Sequence, residues 1–332
     1  MKEFYQAGLI GCGDFLRWLI DDLNASKRFR VTRTYDIDKE KSARRASELN
    51  AIPVEHEDVI FQDPNIDIVL IFTPPWVRVD LVKKATKANK HIITTKPLAN
   101  NLQDARKIGQ LVKDSVECAV IYGRTGNPGV ECLKTVFESG EIGKLALYKE
   151  DWFHHYPTWN DWATLPEKNG GPFMDAMIHN LNKAIYLTGD EVSSCIFFSD
   201  NHAQQLACND TESLKVNFKG GASAHLFITW AADLEVYAAD GNDREHIGIA
   251  HMITDEGWYV TEEPAGEGSV IRAKKDNKVR EWPVEPLPYT PYDDFVIRME
   301  RGEKQNSNLE MAVKDIEILD RAMGSKNAWI TC

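Results

Sequence analysis

From residue 4 to 122 the chain alternates short β-rich runs with helix-patterned stretches, and that alternation leaves few folds open. The runs are YQAGLIG, RVTRTYD, IDIVLIF, HIITT and ECAVIY, and helical patterns begin between them at Asp14, about Lys39, Trp76 and about Gln103. Strands regularly separated by helices predict a doubly wound parallel sheet with helices on both faces, an α/β domain over residues 1–122.

After Tyr122 the pattern changes. Helices are expected near 129–139 and 172–188, but LALYKEDWF, SLKVNFK, ASAHLFITW and HIGIAHMIT follow one another across short turns. Successive strands of this kind predict an α+β domain over 123–332 with a large, mostly antiparallel open sheet. A last helix is announced by Ser307 and Glu310 at capping-box spacing, with Leu309, Ala312, Val313, Ile316, Leu319 and Met323 facing inward. A length of 332 residues also favours two cores over one.

Charge narrows the partners. There are 51 Asp plus Glu against 39 Lys plus Arg, a net of −12, which repels phosphate backbones and anionic lipid, so neither nucleic acid nor membrane is expected as a partner. The apolar run at 66–72 falls far short of the ~20 residues of a bilayer span. The first residues lack a basic region followed by a long apolar one, which implies a cytoplasmic protein. Six scattered cysteines with no C-x-x-C pair imply reduced thiols.

The first strand ends in GLIGCGDFL, where Gly11 and Gly13 follow a strand and precede a helix, the setting of a dinucleotide fingerprint. Gly11 permits the tight turn, and Gly13 lets the backbone approach a pyrophosphate. The helix start at Asp14 and Phe15 directs its positive end at that anion. Leu16 stands where a glycine or alanine is usual, implying a wider approach or a shifted helix. Asp36, at the end of the second strand, either accepts hydrogen bonds from a ribose 2′-hydroxyl or caps the next helix. The first reading favours NAD and disfavours NADP, whose 2′-phosphate would meet Asp36 and Asp38. Thr73-Pro74-Pro75 ends the IDIVLIF strand at the ligand-binding edge of such a sheet, either lining the cofactor pocket or ending the strand. Lys96-Pro97 ends the HIITT strand in the same way.

GGPFMDAMIHNLNKAIYLTG, residues 170–189, carries the chemistry of the second half. Pro172 suits a first helical position and Gly189 the position past the end. Met174, Met177, Ile178, Leu181 and Ile185 form an apolar stripe, while Asp175, His179, Asn182 and Tyr186 form a polar one beside it. A carboxylate one turn before a histidine can orient the imidazole and stabilise its charged form, as a general base requires. A surface pair or a satisfied core histidine gives the same pattern.

Taken in order, GLIGCG, Asp36, TPP, Lys96-Pro97, GEIGK at 140–144 and GGPFMDAMIH resemble the Gfo/Idh/MocA family, named for glucose-fructose oxidoreductase and inositol dehydrogenase. The resemblance covers essentially the whole chain. It implies a Rossmann domain followed by an α/β domain whose open sheet often mediates dimers or tetramers. It also implies reversible NAD(P)-dependent oxidation of a hydroxyl on a sugar, polyol or cyclitol, and operation without metal. Lys96 matches the lysine of the family's E-K-P motif, and Asp175 and His179 match the acid and histidine of D-x-G-x-H-x-x-D. These three form the expected catalytic set, with Lys96 also at the cofactor. Thr95, Met177 and Asn182 depart from those motifs; Asn182 retains the ability to hydrogen-bond a substrate hydroxyl. Arg124, in YGRTGNP, resembles an arginine the family places after its sixth strand. It either binds substrate or pairs within the fold.

The loop WFHHYPTWNDWATLPEKNGG offers His155, Trp159 and Trp162 as flat polar-edged faces for a sugar ring, or as aromatic packing. His154, His155, Asp175 and His179 are considered as metal ligands, but no H-E-x-x-H or cysteine pairing is present and no metal is expected. Two other functions stay open beside the dehydrogenase: a glycosidase or lyase that uses NAD for transient oxidation, and a non-catalytic ligand sensor.

Overall fold

The computed structural model describes residues 2–156, 162–232, 234, 247–325 and 328–332. The five expected parallel strands form together with a short sixth at the edge: β1 (Tyr5–Ile10), β2 (Phe29–Tyr35), β3 (Ile52–Pro53), β4 (Ile68–Ile71), β5 (His91–Thr95) and β6 (Cys118–Ile121). All neighbours are parallel in the order β3-β2-β1-β4-β5-β6. The chain reverses its winding between β1 and β4, and in open sheets of this type ligands bind at the carboxyl ends of the strands beside such a switch. β4 and β6 are buried along their whole length, as strands covered on both faces must be.

The helices of this unit are α1 (Ile20–Ala25), α2 (Lys39–Glu48), α3 (Glu57–Gln62), α4 (Arg78–Lys87) and α5 (Leu102–Val112). The helix expected from Asp14 starts instead as a 3₁₀ turn, Asp14–Trp18, and α1 follows it. Leu16 accounts for the shift: its side chain is drawn into the core beside Leu9 and Leu23. Ser307 does not cap the last helix. Its carbonyl accepts from Val120 N at 2.8 Å, and Asn308 Oδ1 caps instead, accepting from Met311 N at 3.0 Å.

The chain divides into Met1–Gly126 with Leu287–Ile316, and Asn127–Pro286 with Glu317–Cys332. Residues 287–316, expected in the second domain, therefore belong to the first unit. The reason is α8 (Pro291–Arg301), which in chain order follows α6 (Pro128–Ser139) and α7 (Ile178–Thr188) and precedes the last helix, α9 (Leu309–Gly324). Tyr292, Phe295 and Val296 of α8 are buried with Leu9 and Phe29, and Tyr292 stacks on Phe29 at 5.4 Å. Asp293 Oδ1 accepts from Lys27 N at 3.0 Å and Arg28 N at 2.9 Å, fixing α8 to the start of β2.

The second unit is a nine-stranded sheet. Its strands are β7 (Leu145–Phe153), β8 (Val192–Asp200), β9 (Thr211–Phe218), β10 (Ser223–Thr229), β11 (Ile247–Thr254), β12 (Tyr259–Ala265), β13 (Gly268–Lys275), β14 (Lys278–Pro283) and β15 (Ile330–Thr331). In the order β14-β13-β12-β11-β7-β10-β9-β8-β15 only the β7/β10 pair is parallel. α7 packs on β7 and β10. On that side lie Tyr148, Leu214, Val216 and Leu226, all buried. The opposite face is open and carries a hollow of about 600 Å³ lined by Phe153, Ile196, Phe198, Lys215, Phe227 and Trp329. Among the described residues no helix is long and apolar enough to cross a membrane.

Candidate functional site

In the first unit the nucleotide motifs meet at one edge of the sheet. Gly11 has φ +95°, and a Cβ there would lie 2.6 Å from Phe72 O, so no side chain is tolerated. A Cβ on Gly13 would meet nothing within 4 Å. The space in front of Gly13 is thus open, as the approach of a pyrophosphate requires. Beyond it Asp14 is exposed and pairs loosely with Arg44 at 3.8 Å, while the half-exposed Phe15 ring meets Trp18 edge-on at 5.8 Å.

Asp36 does not cap the next helix. Asp38 does, accepting from Glu40 N at 3.0 Å and Lys41 N at 3.3 Å. Asp36 Oδ2 instead accepts from Cys12 N at 2.7 Å and Oδ1 from Asp38 N at 2.9 Å. The carboxylate is therefore tied to the middle of the glycine turn, at the end of β2 where a ribose would sit. Burial and the neighbouring Asp36 push the Cys12 thiol up to about 12, leaving it protonated.

Thr73 and Lys96 end neighbouring strands, and the residue that joins their turns went unnoticed in the sequence. The buried guanidinium of Arg78 donates through Nε to Thr73 O at 3.0 Å, through Nη2 to Thr95 Oγ1 at 3.0 Å, and through Nη1 to the carbonyls of Thr95 and Pro97. It so fixes both sides of the half-buried Lys96, whose bond to Pro97 is cis, and it closes the turn that Pro74 begins. An arginine opening a helix gives no sequence signal of this role. Next to it Tyr122 is held well above its ordinary value by burial and by Asp315, and stays a neutral phenol. Arg124 is held inside the first unit. It is only 2% exposed, and its Nη atoms donate to Asn306 Oδ1 at 3.3 Å and Asn306 O at 3.1 Å.

In the second unit, two left-handed glycines, Gly170 and Gly171, lead into the expected helix. Its first part departs from the α pattern: Phe173–Met177 forms a π turn before α7, and Gly189 ends the helix at φ +63°. Asp175 lies in that turn and His179 one residue into α7; both are half-buried. Met174, Met177, Ile178 and Leu181 are buried as expected, whereas Ile185 is only half-buried. Asn182, expected to touch substrate, is fully buried. Further along, Lys183 pairs with Glu150 at 2.9 Å and Tyr186 OH donates to Glu131 Oε2 at 2.7 Å.

Glu212 anchors the start of this helix. Its Oε2 accepts from Phe173 N at 2.7 Å and Oε1 from Ser199 Oγ at 3.2 Å, and burial pushes the carboxyl up to about 7. In TESLKVNF it shares the inward parity of Leu214, Val216 and Phe218, and a carboxylate at such a position was the signal available. Cys208 lies in the same neighbourhood; burial, then Glu212, pushes its thiol up to about 11, with Asp175 and Asp210 adding to the effect.

Around the aromatic loop, His154 is a core residue, 5% exposed, with Nδ1 2.7 Å from His155 O and its ring near Trp152 and Trp230. His155 and Trp162 are half-buried and bracket residues 157–161. Trp159 lies outside the described residues. Among the described residues no group of three or more His, Cys, Asp or Glu is placed to hold a metal.

A parallel sheet with an open glycine turn at its switch point and a carboxylate at the end of the next strand defines a dinucleotide-binding protein. The family model for the NAD-binding Rossmann fold of the Gfo/Idh/MocA oxidoreductases matches residues 5–123, and that for the Gfo/Idh/MocA C-terminal domain matches 130–244. The chain belongs to this family. It is 28% identical over 232 residues to the uncharacterized oxidoreductase YrbE of Bacillus subtilis strain 168, covering 68% of this chain and 67% of that protein. To the myo-inositol 2-dehydrogenase of Thermotoga maritima it is 28% identical over 63% of this chain and 64% of the other. A crystal structure of aldose-aldose oxidoreductase from Caulobacter crescentus with glycerol shares the fold at TM-score 0.84 and 17% identity, over 99% of this chain and 100% of that one.

Proposed function

We propose that the protein is an NAD-dependent dehydrogenase acting on a carbinol carbon of a sugar, polyol or cyclitol. The observation that carries this reading is the Asp175/His179 pair on a helix whose start is anchored by Glu212, in a chain with an open dinucleotide turn. The turn at Gly11 and Gly13, with Asp14 and Phe15 beside it, would hold the pyrophosphate, Asp36 the adenosine ribose, and Thr73 and Pro74 the edge of the cofactor pocket. When bound, NAD supplies the hydride acceptor. His179 takes the hydroxyl proton, Asp175 keeps its imidazole in the receptive tautomer, and Lys96 donates to the oxygen as negative charge grows there. His155, Trp159 and Trp162 offer faces for the ring of the substrate. Relatives named as inositol dehydrogenases support the cyclitol class.

Asp36 supports NAD over NADP, because a 2′-phosphate would face its carboxylate. Self-association through the open face of the nine-stranded sheet belongs to the same proposal; the exposed Phe198, Ile249 and Ile253 on that face support it. A dimer or tetramer by light scattering would agree with it and a monomer would overturn that part.

The activity is tested by following NADH formation with a panel of inositols, aldoses and polyols. At least one should be oxidised, and His179→Ala should lower kcat by roughly 10²–10⁴. An unchanged rate in that variant would remove His179 from the mechanism. Glycoside cleavage without net NADH would replace the dehydrogenase reading with a redox-assisted lyase or glycosidase.

A further inference from the structure

Two cysteines that the proposed chemistry does not use lie against each other at one edge of the second unit. β15 adds to the edge of the sheet by antiparallel pairing with β8, Ile330 opposite Cys195 and Thr331 opposite Ser194. Cys332 N donates to Ser193 O at 3.0 Å, holding Cys332 beside β8. The Sγ atoms of Cys195 and Cys332 are 3.3 Å apart. Cys195 is buried under the helix-covered face and Cys332 is half-buried.

We propose that Cys195 and Cys332 form a redox-modifiable pair, with Cys332 the attacking thiol and Cys195 the resolving one, that small disulfides convert to an intramolecular disulfide. Two observations support the order of roles, and a third sets the pair apart from the other cysteines. Cys332 is the more accessible of the two. The hydrogen bond between the two sulfurs draws the Cys332 thiol down, with Arg321 adding to the effect, while Cys195 is raised in return. Cys12, Cys118 and Cys208 are buried, and burial pushes them up to about 12, about 12 and about 11.

The step balances without a further reactant. The Cys332 thiolate attacks one sulfur of glutathione disulfide, expelling one glutathione and leaving a mixed disulfide. Cys195, giving up its proton, attacks the Cys332 sulfur and expels the second glutathione. Two thiols are oxidised by two electrons, and one disulfide is reduced to two thiols. The sulfurs must close to about 2.05 Å, a movement a two-residue edge strand can make with little loss of other contacts.

Closure would staple β15 to β8. Trp329, on the neighbouring residue of that strand, is half-exposed on the opposite face, where Lys215 Nζ lies 5.4 Å from its ring centre. With Ile196 and Phe198 it lines the hollow of the open face. The oxidised pair therefore holds Trp329 over that hollow, and reduction leaves only the two-residue strand to do so.

The test is a non-reducing peptide map of the whole protein after incubation with glutathione disulfide near neutral pH. The expected result is a linked peptide pair joining Cys195 and Cys332. In Cys195→Ser a glutathione adduct should accumulate on Cys332, forming about tenfold faster than on the half-buried Cys132, whose thiol is raised. In the wild type, backbone hydrogen exchange in residues 328–332 should slow on oxidation. The proposal is overturned if both cysteines remain alkylatable after oxidation in folded wild type, or if the adduct in Cys195→Ser forms on Cys132 instead. An adduct that accumulates on Cys195 in Cys332→Ser as fast as on Cys332 in Cys195→Ser would overturn the assigned roles.

Discussion

The backbone amide of Phe173 donates to the buried carboxylate of Glu212 at 2.7 Å, two residues before Asp175. This bond ties the charge state of Glu212 to the start of the helix that carries the proposed acid/base pair. Burial raises the carboxyl from 4.5 to about 7, so the folded state favours the protonated form. A raised carboxyl contributes stability that is complete below its unfolded value and is lost as pH climbs through the folded one. The wild type should therefore lose roughly 3 kcal/mol relative to Glu212→Gln between about pH 4.5 and 7. Urea denaturation of both proteins across that range checks it; parallel stability profiles would refute it.

Gly11 and Gly13 should separate folding from cofactor binding. At Gly11 the positive φ and the 2.6 Å approach to Phe72 O leave no room, so Gly11→Ala should cost on the order of 1–3 kcal/mol of stability. At Gly13 the new methyl meets no protein atom within 4 Å, and Gly13→Ala should melt like the wild type. It should nevertheless weaken NAD binding by about tenfold or more, since about 1.4 kcal/mol of lost contact suffices for that. Thermal melts and calorimetric NAD titrations of the two variants give the comparison. Wild-type NAD affinity in Gly13→Ala would show that the pyrophosphate does not approach there.

Arg78 should matter out of proportion to its distance in sequence from any motif. Arg78→Met keeps most of the apolar stem but leaves the carbonyls of Thr73, Thr95 and Pro97 without that donor. The loss should be about 1–3 kcal/mol by denaturation, the cost of leaving buried carbonyls unsatisfied. At a temperature where the variant remains folded, kcat should fall more than NAD affinity, because the Lys96 turn is released. A variant as stable as the wild type would contradict the role.

The parts of this architecture written in local pattern were readable, and the parts written in long-range contacts were not. Alternation located β1, β2, β4, β5 and β6: β4 and β6 are apolar runs buried throughout, while β2 shows as a β-branched run between helical patterns. Leu16 left a wider approach or a shifted helix open; the observed form is a 3₁₀ turn, Asp14–Trp18, with Leu16 buried in the core. The π turn at Phe173–Met177 was hidden, because a π turn and an α turn differ by one residue in a stripe whose apolar members stay buried in either case. That residues 287–316 join the first unit is not legible locally, because nothing in the α8 segment says which core it will cover. Asn308 displaces Ser307 as the cap because the Ser307 hydroxyl is engaged with Thr125 Oγ1 at 2.6 Å. Arg78 joins Thr73, five residues away, to Thr95, 17 away, and Glu212 acts on Phe173, 39 away; the longer links are encoded in no local spacing.

Asp36 allows the cofactor preference to be dissected, because its two oxygens already have known tasks in the protein. Oδ2 holds Cys12 N at 2.7 Å and Oδ1 holds Asp38 N at 2.9 Å. An asparagine can still accept one of these bonds but carries no charge to repel a 2′-phosphate, whereas alanine loses both bonds and charge. Asp36→Asn should lose about 1–2 kcal/mol of stability, because its amide NH2 faces one of the two backbone donors, while the NAD over NADP preference falls by about ten- to a hundredfold, corresponding to the roughly 1.5–3 kcal/mol of a hydrogen bond to a charged group. Asp36→Ala should lose NAD affinity by a similar factor and loosen the glycine turn as well. Titration of each variant with NAD and with NADP, beside a thermal melt, distinguishes these outcomes. If Asp36→Asn binds the two cofactors in the wild-type ratio, the carboxylate is a brace for Cys12 and the discrimination lies elsewhere in the chain.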